Sequence, residues 1–480
     1  MTKMFLYTVI ILLVLIQMGC TSKKTTTTEA SDPTQYLVNM FTTTGSKTKL
    51  LEKQDDLVLT SDFTNELSTS ITIDDNITYQ EIDGFGAALT ESSAYLIYNL
   101  PAEQRNQVIR DLFSNEGIGI NFIRLPMGAS DFALNNYSYD DVTGEDLTLS
   151  QFSIERDRAY VIPVLKAAFT YNNQIKLMGS PWSAPAWMKN NKSMNGGSLK
   201  DEYIDIYGDY FIKFIEAYKE EGLPIYAVTL QNEPLHETGS YPTMKMSANQ
   251  QIKLIKNLGP KLAERNLDTK IIIYDHNWDN RTYAFTILND NNANKYVAGT
   301  AFHCYAGSVD SQSKVHNAFP DKGIWFTECS GGQWATNFSE NISWNMENIF
   351  IGSINNYSKS VLLWNIALDK DHGPKNGGCQ DCRGVITIKP DGSVVRNEEY
   401  YMIGHFSKFV LPQALRIETK LQGNQNIINT AFRNPDGSIV LVIHNKGALA
   451  QDITLKYNGA ATNVTILGKS TSTLIINKEE

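Results

Sequence analysis

The stretch YAVTLQNEP at residues 226–234 is an apolar run that ends in the carboxylate of Glu233 and is then broken by Pro234. Residues 323–330 (GIWFTECS) follow the same order, because a β-prone run ends there in Glu328, where the polar residues begin. Both patterns are typical of a buried strand that delivers a glutamate at its C-terminal end. In a parallel barrel, that end of the strands carries the functional groups.

Six more β-prone runs alternate with amphipathic segments that predict helices. The eight runs are residues 82–88, 121–127, 175–180, 226–233, 270–274, 297–305, 324–328 and 360–368. Helices are predicted over residues 102–113, 203–219 and 249–267, and Pro101 stands where a helix commonly begins. This alternation favours an α/β fold of the (β/α)8 TIM-barrel type over residues 81–397, rather than an open doubly wound sheet.

The pattern changes after residue 397 to short β-prone runs without helices. These runs are residues 427–432, 439–443, 451–455 and 464–476. The turn sequence NPDG at residues 434–437 joins the first two and predicts a hairpin. We therefore predict a β-sandwich over residues 398–480, completed by strands of residues 48–80, near Leu57 and Ile71, that precede the barrel.

The composition is that of an ordinary soluble globular protein, with 42% hydrophobic and 20% charged residues in a chain of 480. The net charge is −10, the isoelectric point is about 5.3, and no long basic run is present in the sequence. These features argue against nucleic acid as a partner and are compatible with a neutral glycan. Nothing in the sequence calls for a cofactor.

The N-terminus has the pattern of a bacterial export signal. Lys3 precedes the apolar run at residues 4–18, and a small residue stands before Cys20. We predict a lipoprotein signal peptide at residues 1–20 with lipidation at Cys20; the alternative is a cysteine just past an ordinary cleavage site. The polar, threonine-rich residues 21–47 predict a flexible linker. The protein is thus expected to be an exported, periplasmic or cell-surface lipoprotein of a Gram-negative bacterium, which meets the membrane through its lipid anchor only.

Four cysteines remain after Cys20, namely Cys304, Cys329, Cys379 and Cys382. The CxxC motif at residues 379–382 comes without a second CxxC or nearby histidine ligands, which argues against a zinc site, and no metal site is predicted. Because an exported protein can form disulfides, we predict that this motif staples a loop. A redox role is the alternative.

Glu233 is predicted to end the fourth barrel strand and Glu328 the seventh, so their side chains can converge across the mouth of the barrel. Retaining glycosidases hold two carboxyl groups about 5–5.5 Å apart, one as nucleophile and one as acid and then base. The sequence therefore indicates glycoside hydrolysis by double displacement. The alternative is that each glutamate is a salt-bridged residue on the rim.

Six motifs, in order along the chain, resemble glycoside hydrolase family 30, which contains glucosylceramidases and β-1,6-glucanases. They are GFG at residues 84–86, IRLPM at 123–127, SPWS at 180–183, QNEP at 231–234, WFTE at 325–328 and GHFSKF at 404–409. The resemblance covers nearly everything from Gly84 to the C-terminus. It implies a (β/α)8 barrel with an attached β-sandwich, retention at the anomeric carbon, Glu233 as acid/base and Glu328 as nucleophile.

Further residues have expected roles in such a site. Asn232 is placed to hydrogen-bond the sugar 2-hydroxyl. His303 and Tyr305 point to the same side of the sixth strand, where Tyr305 could steady the nucleophile. Arg124 and Asp131 fit family positions, Arg124 by holding the nucleophile's charge and Asp131 by binding sugar hydroxyls. Alternatively, Arg124 satisfies a buried carboxylate within the barrel.

Aromatic residues are the other candidates for contacts with sugar. Trp182 and Trp364 offer flat apolar faces and indole donors to a glucose ring. The alternatives are that the two tryptophans are core residues, as tryptophans often are, and that histidines such as His405 and His444 are structural.

The loop at residues 369–384 follows the eighth strand and departs from the lysosomal glucosylceramidase pattern. It looks more like the bacterial and fungal β-1,6-glucanases. We therefore expect a β-1,6-glucosidase or endo-β-1,6-glucanase that acts on laminarin branches or pustulan. The alternatives are a glucosylceramidase, a non-catalytic glycan-binding surface lipoprotein and a β-xylan-active branch of the family.

Overall fold

The computed structural model describes residues 35–478. Within that range, no helix combines the length and the apolar character that a membrane span needs. The predicted signal peptide at residues 1–20 and the predicted lipidation site at Cys20 lie outside the described residues.

The described residues form strands and helices throughout. The strands are β1 Gln35–Thr44, β2 Glu52–Lys53, β3 Leu57–Thr60, β4 Ser70–Glu81, β5 Gly84–Ala88, β6 Phe122–Pro126, β7 Lys176–Ser180, β8 Ile225–Thr229, β9 Lys270–Asn277, β10 Val297–His303, β11 Gly323–Glu328, β12 Gly331–Gly332, β13 Ser358–Asn365, β14 Ala367–Asp369, β15 Cys382–Arg383, β16 Ile386–Ile388, β17 Val394–Arg396, β18 Leu415–Gln422, β19 Ile427–Arg433, β20 Ile439–Asn445, β21 Gln451–Tyr457, β22 Ala460–Ile466 and β23 Ser470–Lys478. The helices are α1 Glu91–Tyr98, α2 Ala102–Phe113, α3 Glu155–Ala159, α4 Val161–Tyr171, α5 Ile204–Glu220, α6 Ala248–Glu264, α7 Arg281–Leu288, α8 Asn291–Asn294, α9 Asp310–Ala318, α10 Phe338–Asn345, α11 Ile351–Asn355 and α12 Glu398–Ser407.

Eight parallel strands close into a barrel in the order β5, β6, β7, β8, β9, β10, β11 and β13. Each of the eight predicted runs coincides with one of these strands, so the predicted (β/α)8 barrel is confirmed. Seven of the strands place one apolar side chain each in a buried cluster, namely Phe122, Met178, Ala227, Ile272, Ala301, Trp325 and Leu362. This packed interior leaves the open ends of the strands for function.

The helices cover the barrel with amphipathic faces. Helix α5, for example, buries Tyr207, Tyr210, Phe211 and Phe214, which recur at the spacing of three to four residues that places side chains on one face. Helix α6 packs beside α5 and begins at Ala248, with Ser247 as the N-cap residue of a capping box. The barrel is therefore a rigid support for the groups at its rim.

The second domain is a ten-stranded antiparallel-rich sheet in the order β2-β1-β23-β20-β19-β18-β4-β21-β22-β3, with a further pairing between β1 and β3. Its core is a separate cluster that includes Val38, Ile71, Leu441, Ile453 and Leu474. Strands from both sides of the barrel in sequence thus build one sandwich, as predicted, and the hairpin of β19 and β20 is confirmed.

Two predicted boundaries are wrong. The linker predicted over residues 21–47 is a strand from Gln35 onward, because Tyr36, Val38 and Met40 alternate inward and are buried. This alternation was hidden by the neighbouring threonines. The sandwich was also predicted to begin at residue 398, but Glu398–Ser407 is a fully buried helix that packs against β5 and α10.

Candidate active site

The carboxyl ends of the barrel strands surround a cavity of about 460 Å³. All four side chains predicted to face sugar around the glutamates, namely Asp131, Trp182, Asn232 and Trp364, line this cavity together with Glu233, Glu328 and Tyr305. Arg124 and His303 lie buried beneath it, at 0% exposure each. The structure therefore brings all nine residues predicted for this site into one place.

Glu233 and Glu328 approach each other closely, since one carboxylate oxygen of each lies within 4.8 Å of the other and of a His303 ring nitrogen. Glu328 ends β11 as predicted. Glu233 was predicted to end the fourth strand, but β8 stops at Thr229 and Glu233 lies in the following loop. Its φ of 46° is in the left-handed region, an unusual backbone state for a residue with a side chain.

Different donors contact the two carboxylates. Glu328 accepts a hydrogen bond of 2.6 Å from Nη1 of Arg124 and one of 2.9 Å from the hydroxyl of Tyr305. Glu233 lies 3.2 Å from Nδ1 of His303 and 3.8 Å from Nε2 of His276. Arg124 thus forms an ion pair with Glu328, whereas Glu233 interacts with imidazoles.

Asp275, which sequence reasoning missed, anchors the layer beneath the cavity. It is fully buried at the end of β9 and accepts hydrogen bonds of 2.6–2.8 Å. The donors are Arg124, Ser180, Thr229 and Thr327, and Nε2 of His303 lies 3.0 Å away. Burial opposes its charge, but the Arg124 guanidinium and the His303 contact hold the pKa of Asp275 well below its ordinary value.

The sequence did carry a signal for Asp275. Residues 271–275 (IIIYD) are another apolar run that ends in a carboxylate, the same pattern that identified Glu233 and Glu328. The predicted strand stopped at Tyr274, one residue short, whereas β9 continues to Asn277. The same continuation brings His276 and Asn277 to the wall of the cavity.

His303 bridges the two layers. Burial disfavours its cation, but the Glu328 charge and the contacts with Asp275 and Glu233 raise its pKa to about 9. A protonated imidazole donates from both nitrogens and keeps no lone pair for a metal. The cluster of Glu233, His303 and Glu328 is compact enough to hold a cation, but a doubly donating His303 fits a hydrogen-bond bridge and not a metal ligand.

The carboxyl groups have pKa values set by this crowding. Burial raises the pKa of Glu233, but the hydrogen bond and charge of His303 outweigh it, so the pKa lies below its ordinary value. Burial raises the pKa of Glu328 above its ordinary value, with the charges of Glu233 and Asp275 adding to this and those of His303 and Arg124 opposing it. Burial and both glutamates raise the pKa of Asp131 well above its ordinary value.

The tryptophans form part of the wall and part of the core. Trp182 and Trp364 stack on each other with ring centroids 5.0 Å apart, and both lie over the Arg124 guanidinium. Asn232 accepts a 2.7 Å hydrogen bond from Arg124 through its oxygen, which leaves its amide donors for the cavity. Because Trp182 and Trp364 are almost fully buried, each ring can offer a sugar only the small part of its surface that lines the cavity.

Two disulfides hold the rim. Cys379–Cys382 confirms the predicted loop staple, and both cysteines line the cavity. Cys304–Cys329, which was not predicted as a pair, joins residues adjacent to Tyr305 and Glu328. The bond links the carboxyl ends of β10 and β11 at the point where these two side chains meet.

A parallel barrel that holds two carboxyl groups this close at the carboxyl edge of its strands is typical of glycoside hydrolases. Residues 82–410 match the family model of the glycosyl hydrolase family 30 TIM-barrel domain, and residues 413–474 match that of the family 30 beta sandwich domain. The chain belongs to glycoside hydrolase family 30 and is a glycosidase.

Relatives in this family have more than one named activity. An endo-1,6-beta-D-glucanase of Aspergillus fumigatus is 34% identical over 79% of this chain and 82% of that protein. The lysosomal acid glucosylceramidase of Mus musculus is 32% identical over 78% of this chain and 77% of that protein. Among solved structures, the endo-beta1,6-glucanase BT3312 is 34% identical, with a TM-score of 0.86 over 92% of this chain and 99% of that one.

Proposed function

We propose that this protein is a retaining β-glucoside hydrolase that acts on β-1,6-linked glucan, as a β-1,6-glucosidase or a β-1,6-glucanase. The observation that carries the proposal is the pair of carboxylate oxygens within 4.8 Å at the mouth of a family 30 barrel. Oxygens this close fit double displacement, in which the two carboxyl groups are about 5–5.5 Å apart, better than inversion, in which they are about 6.5–9.5 Å apart.

In the first step, an oxygen of Glu328 attacks the anomeric carbon, the glycosidic bond breaks, and the leaving oxygen takes a proton from Glu233. In the second step, Glu233 removes a proton from water, the water attacks the same carbon, and the bond to Glu328 breaks. Arg124 and Tyr305 support the nucleophile role because their hydrogen bonds orient Glu328 and stabilise its charge.

Glu233 must hold a proton when the substrate is bound, yet His303 keeps its pKa low in the free site. We infer that the proton comes from Nδ1 of His303, 3.2 Å away, as substrate excludes water. The transfer turns a buried ion pair into two neutral groups, and His303 still donates from Nε2 to Asp275. It also removes the charge of Glu233 that raises the pKa of Glu328.

The remaining residues bind the sugar. The amide of Asn232 is proposed to hydrogen-bond the 2-hydroxyl, and Asp131, whose raised pKa favours the neutral acid, can both donate to and accept from hydroxyls. Trp182 and Trp364 supply apolar wall. The amide of Asn232 is free to donate because its oxygen binds Arg124, and the neutral acid is the form of Asp131 that its surroundings favour.

The β-1,6 linkage is supported by the endo-1,6-beta-glucanases among the relatives. The test is product analysis on gentiobiose, pustulan, laminarin and glucosylceramide in parallel, with the anomer followed by NMR from the first turnover. We expect β-glucose or gentio-oligosaccharides from the β-1,6 substrates. Glucose from glucosylceramide alone would overturn the linkage and favour the second candidate, a glucosylceramidase, which the similarity to the mouse enzyme supports. An α-anomer as first product would overturn retention.

A further inference from the structure

A second cavity opens beside the catalytic pocket. It has a volume of about 640 Å³ and shares Tyr305, Ser330 and Trp334 with the pocket that contains Glu233 and Glu328. From there it extends over the loop after β11 to Trp344 on helix α10. We call this cavity the tryptophan groove. Because these three residues line both cavities, the cavities are adjacent, and a long ligand can extend from one into the other.

The tryptophan groove contains the two exposed indoles of the protein. Trp334 is 58% exposed and Trp344 is 48% exposed, whereas the other five tryptophans are buried. Exposed large apolar side chains grouped along one concave surface indicate a binding site. An indole gives a sugar ring a flat apolar face and one hydrogen-bond donor. The hydroxyl of Tyr305, at the junction, already contacts Glu328.

The ring of Trp334 packs closely against the backbone of Gly332. A Cβ atom at Gly332 would lie 2.0 Å from Cζ3 of this ring, so only glycine lets the indole rest there. Gly331 and Gly332 form β12, which pairs with β15, and the amide of Gln333 donates to the carbonyl of Asp381. A preorganised ring loses little freedom when it binds a ligand.

Polar side chains also line the groove between the two indoles. Asn337 caps α10, and Asn341 and Asn345 hydrogen-bond within the protein, so Thr336 and Glu340 are the polar groups that can meet a ligand. Hydroxyl and carboxylate groups interleaved with indoles match a chain of sugar rings, whose faces are apolar and whose edges carry hydroxyls. A lipid acyl chain would cover these polar groups without pairing them, at a cost in free energy. The groove therefore favours a glycan over a ceramide tail.

We infer that the tryptophan groove binds further glucose units of the β-glucan chain whose linkage is cut between Glu233 and Glu328. This inference rests on the proposed β-1,6-glucanase function and deepens it. Trp334 contacts the unit nearest the catalytic pocket, and Trp344 a unit farther along. The enzyme thereby contacts several glucose units of a chain and not only a terminal disaccharide.

The test is the dependence of kcat/KM on chain length, with gentio-oligosaccharides of two to six glucose units. Trp344→Ala is expected to lower the ratio of kcat/KM on the hexasaccharide to that on the disaccharide about tenfold. Gly332→Ala should act in the same direction as Trp334→Ala, because it displaces an intact indole. Tyr171→Ala, an exposed aromatic at the opposite end of the barrel, is the matched control and should leave the ratio unchanged.

Binding without turnover gives a second readout. In a Glu328→Gln background, the hexasaccharide should change the tryptophan fluorescence, and Trp344→Ala should weaken its affinity about tenfold. An equal loss of kcat/KM at every chain length would overturn the inference, as would a greater loss on long-acyl than on short-acyl glucosylceramide. If the unaltered protein cuts no β-1,6 linkage, the proposed function fails and the inference with it; if it does and chain-length dependence persists in both tryptophan variants, only the inference fails.

Discussion

Glu233 and Glu328 carry different expectations because different groups touch them. Glu328→Ala removes the proposed nucleophile, so we expect a loss of kcat/KM of at least about 10⁴-fold on every substrate. Glu233→Ala removes the acid, so a loss of roughly 10²–10⁴-fold is expected on glucans, with a smaller loss in the first step for an aryl glucoside with a good leaving group. Steady-state and burst kinetics on both substrate types measure these differences.

Azide distinguishes the two roles. In Glu233→Ala it should replace the activated water, restore the second step and give a β-glucosyl azide that NMR identifies. Asn232→Ala, next to the acid, is the control that should gain nothing from azide. An α-azide from the Glu233 variant, or no azide product, would contradict the roles.

Most of the site could be predicted at this scale, but the central role of Asp275 could not. The sequence motifs contain Glu233, Glu328, Arg124, Trp182 and Asn232. The other four residues were expected from strand alternation, from family position or from their aromatic character. The importance of Asp275 comes from Arg124, Thr229, His303 and other partners that lie on five different strands. The local pattern at residues 271–275 marks a carboxylate near a strand end, but the convergence of these partners on it is a tertiary property that the pattern does not contain.

At the scale of elements, two buried histidines connect the barrel to the sandwich: His405 on α12 and His444 on β20. The ring nitrogens of His405 lie 2.9 Å from the hydroxyls of Thr43 and Thr473. His444 makes matching contacts with Thr471 and Ser343. The structural interpretation of these two histidines fits this placement, far from the cavity. Burial lowers the pKa of both histidines to about 3.

This junction predicts an acid-sensitive stability. Because the folded pKa lies below the ordinary 6.5, the neutral histidines contribute full stability above pH 6.5, which is lost progressively as the pH falls toward 3. His405→Gln, which cannot titrate, should flatten the dependence of the unfolding free energy on pH between 6.5 and 4, by a few kcal/mol over that window. Denaturant titrations at a series of pH values measure this slope. His372→Gln, in the loop after β14, is the control; an unchanged slope in His405→Gln would contradict the prediction.

At the scale of the whole molecule, the sandwich depends on residues that precede the barrel. Strand β1 pairs with β23 from Tyr36 opposite Lys478 to Thr44 opposite Ser470. A chain beginning at residue 48 would lose β1 and uncover the core of the sandwich. Three buried apolar side chains at about 1.5–3 kcal/mol each approach the stability of an ordinary domain, so we expect aggregation or a much lower Tm. Size-exclusion chromatography and thermal unfolding against a chain beginning at residue 35 test this; equal Tm values would contradict it.

The same strand shows where sequence reasoning stops. The eight barrel runs were recognised because consecutive strands are neighbours and carry strong apolar patterns. Strand β1 was assigned to the linker because its apolar alternation is short. Tyr36, Val38 and Met40 point inward, but threonines follow them, and Thr43 contacts the buried His405. The long pairing with β23, from the far end of the sequence, joins these residues to the sandwich, and no local pattern indicates it.

The pairing of β1 with β23 also has a consequence in time. Among the described strands β1 is made first and β23 last, and only six residues of β1 pair with the early strands β2 and β3, whereas nine pair with β23. At about 5–20 residues per second, the ribosome needs roughly 20–90 s to make the chain between them. The barrel can gather its consecutive strands during this interval, whereas the sandwich waits for the final residues. Strand β1, made early, therefore reaches its full pairing only when β23 has been made.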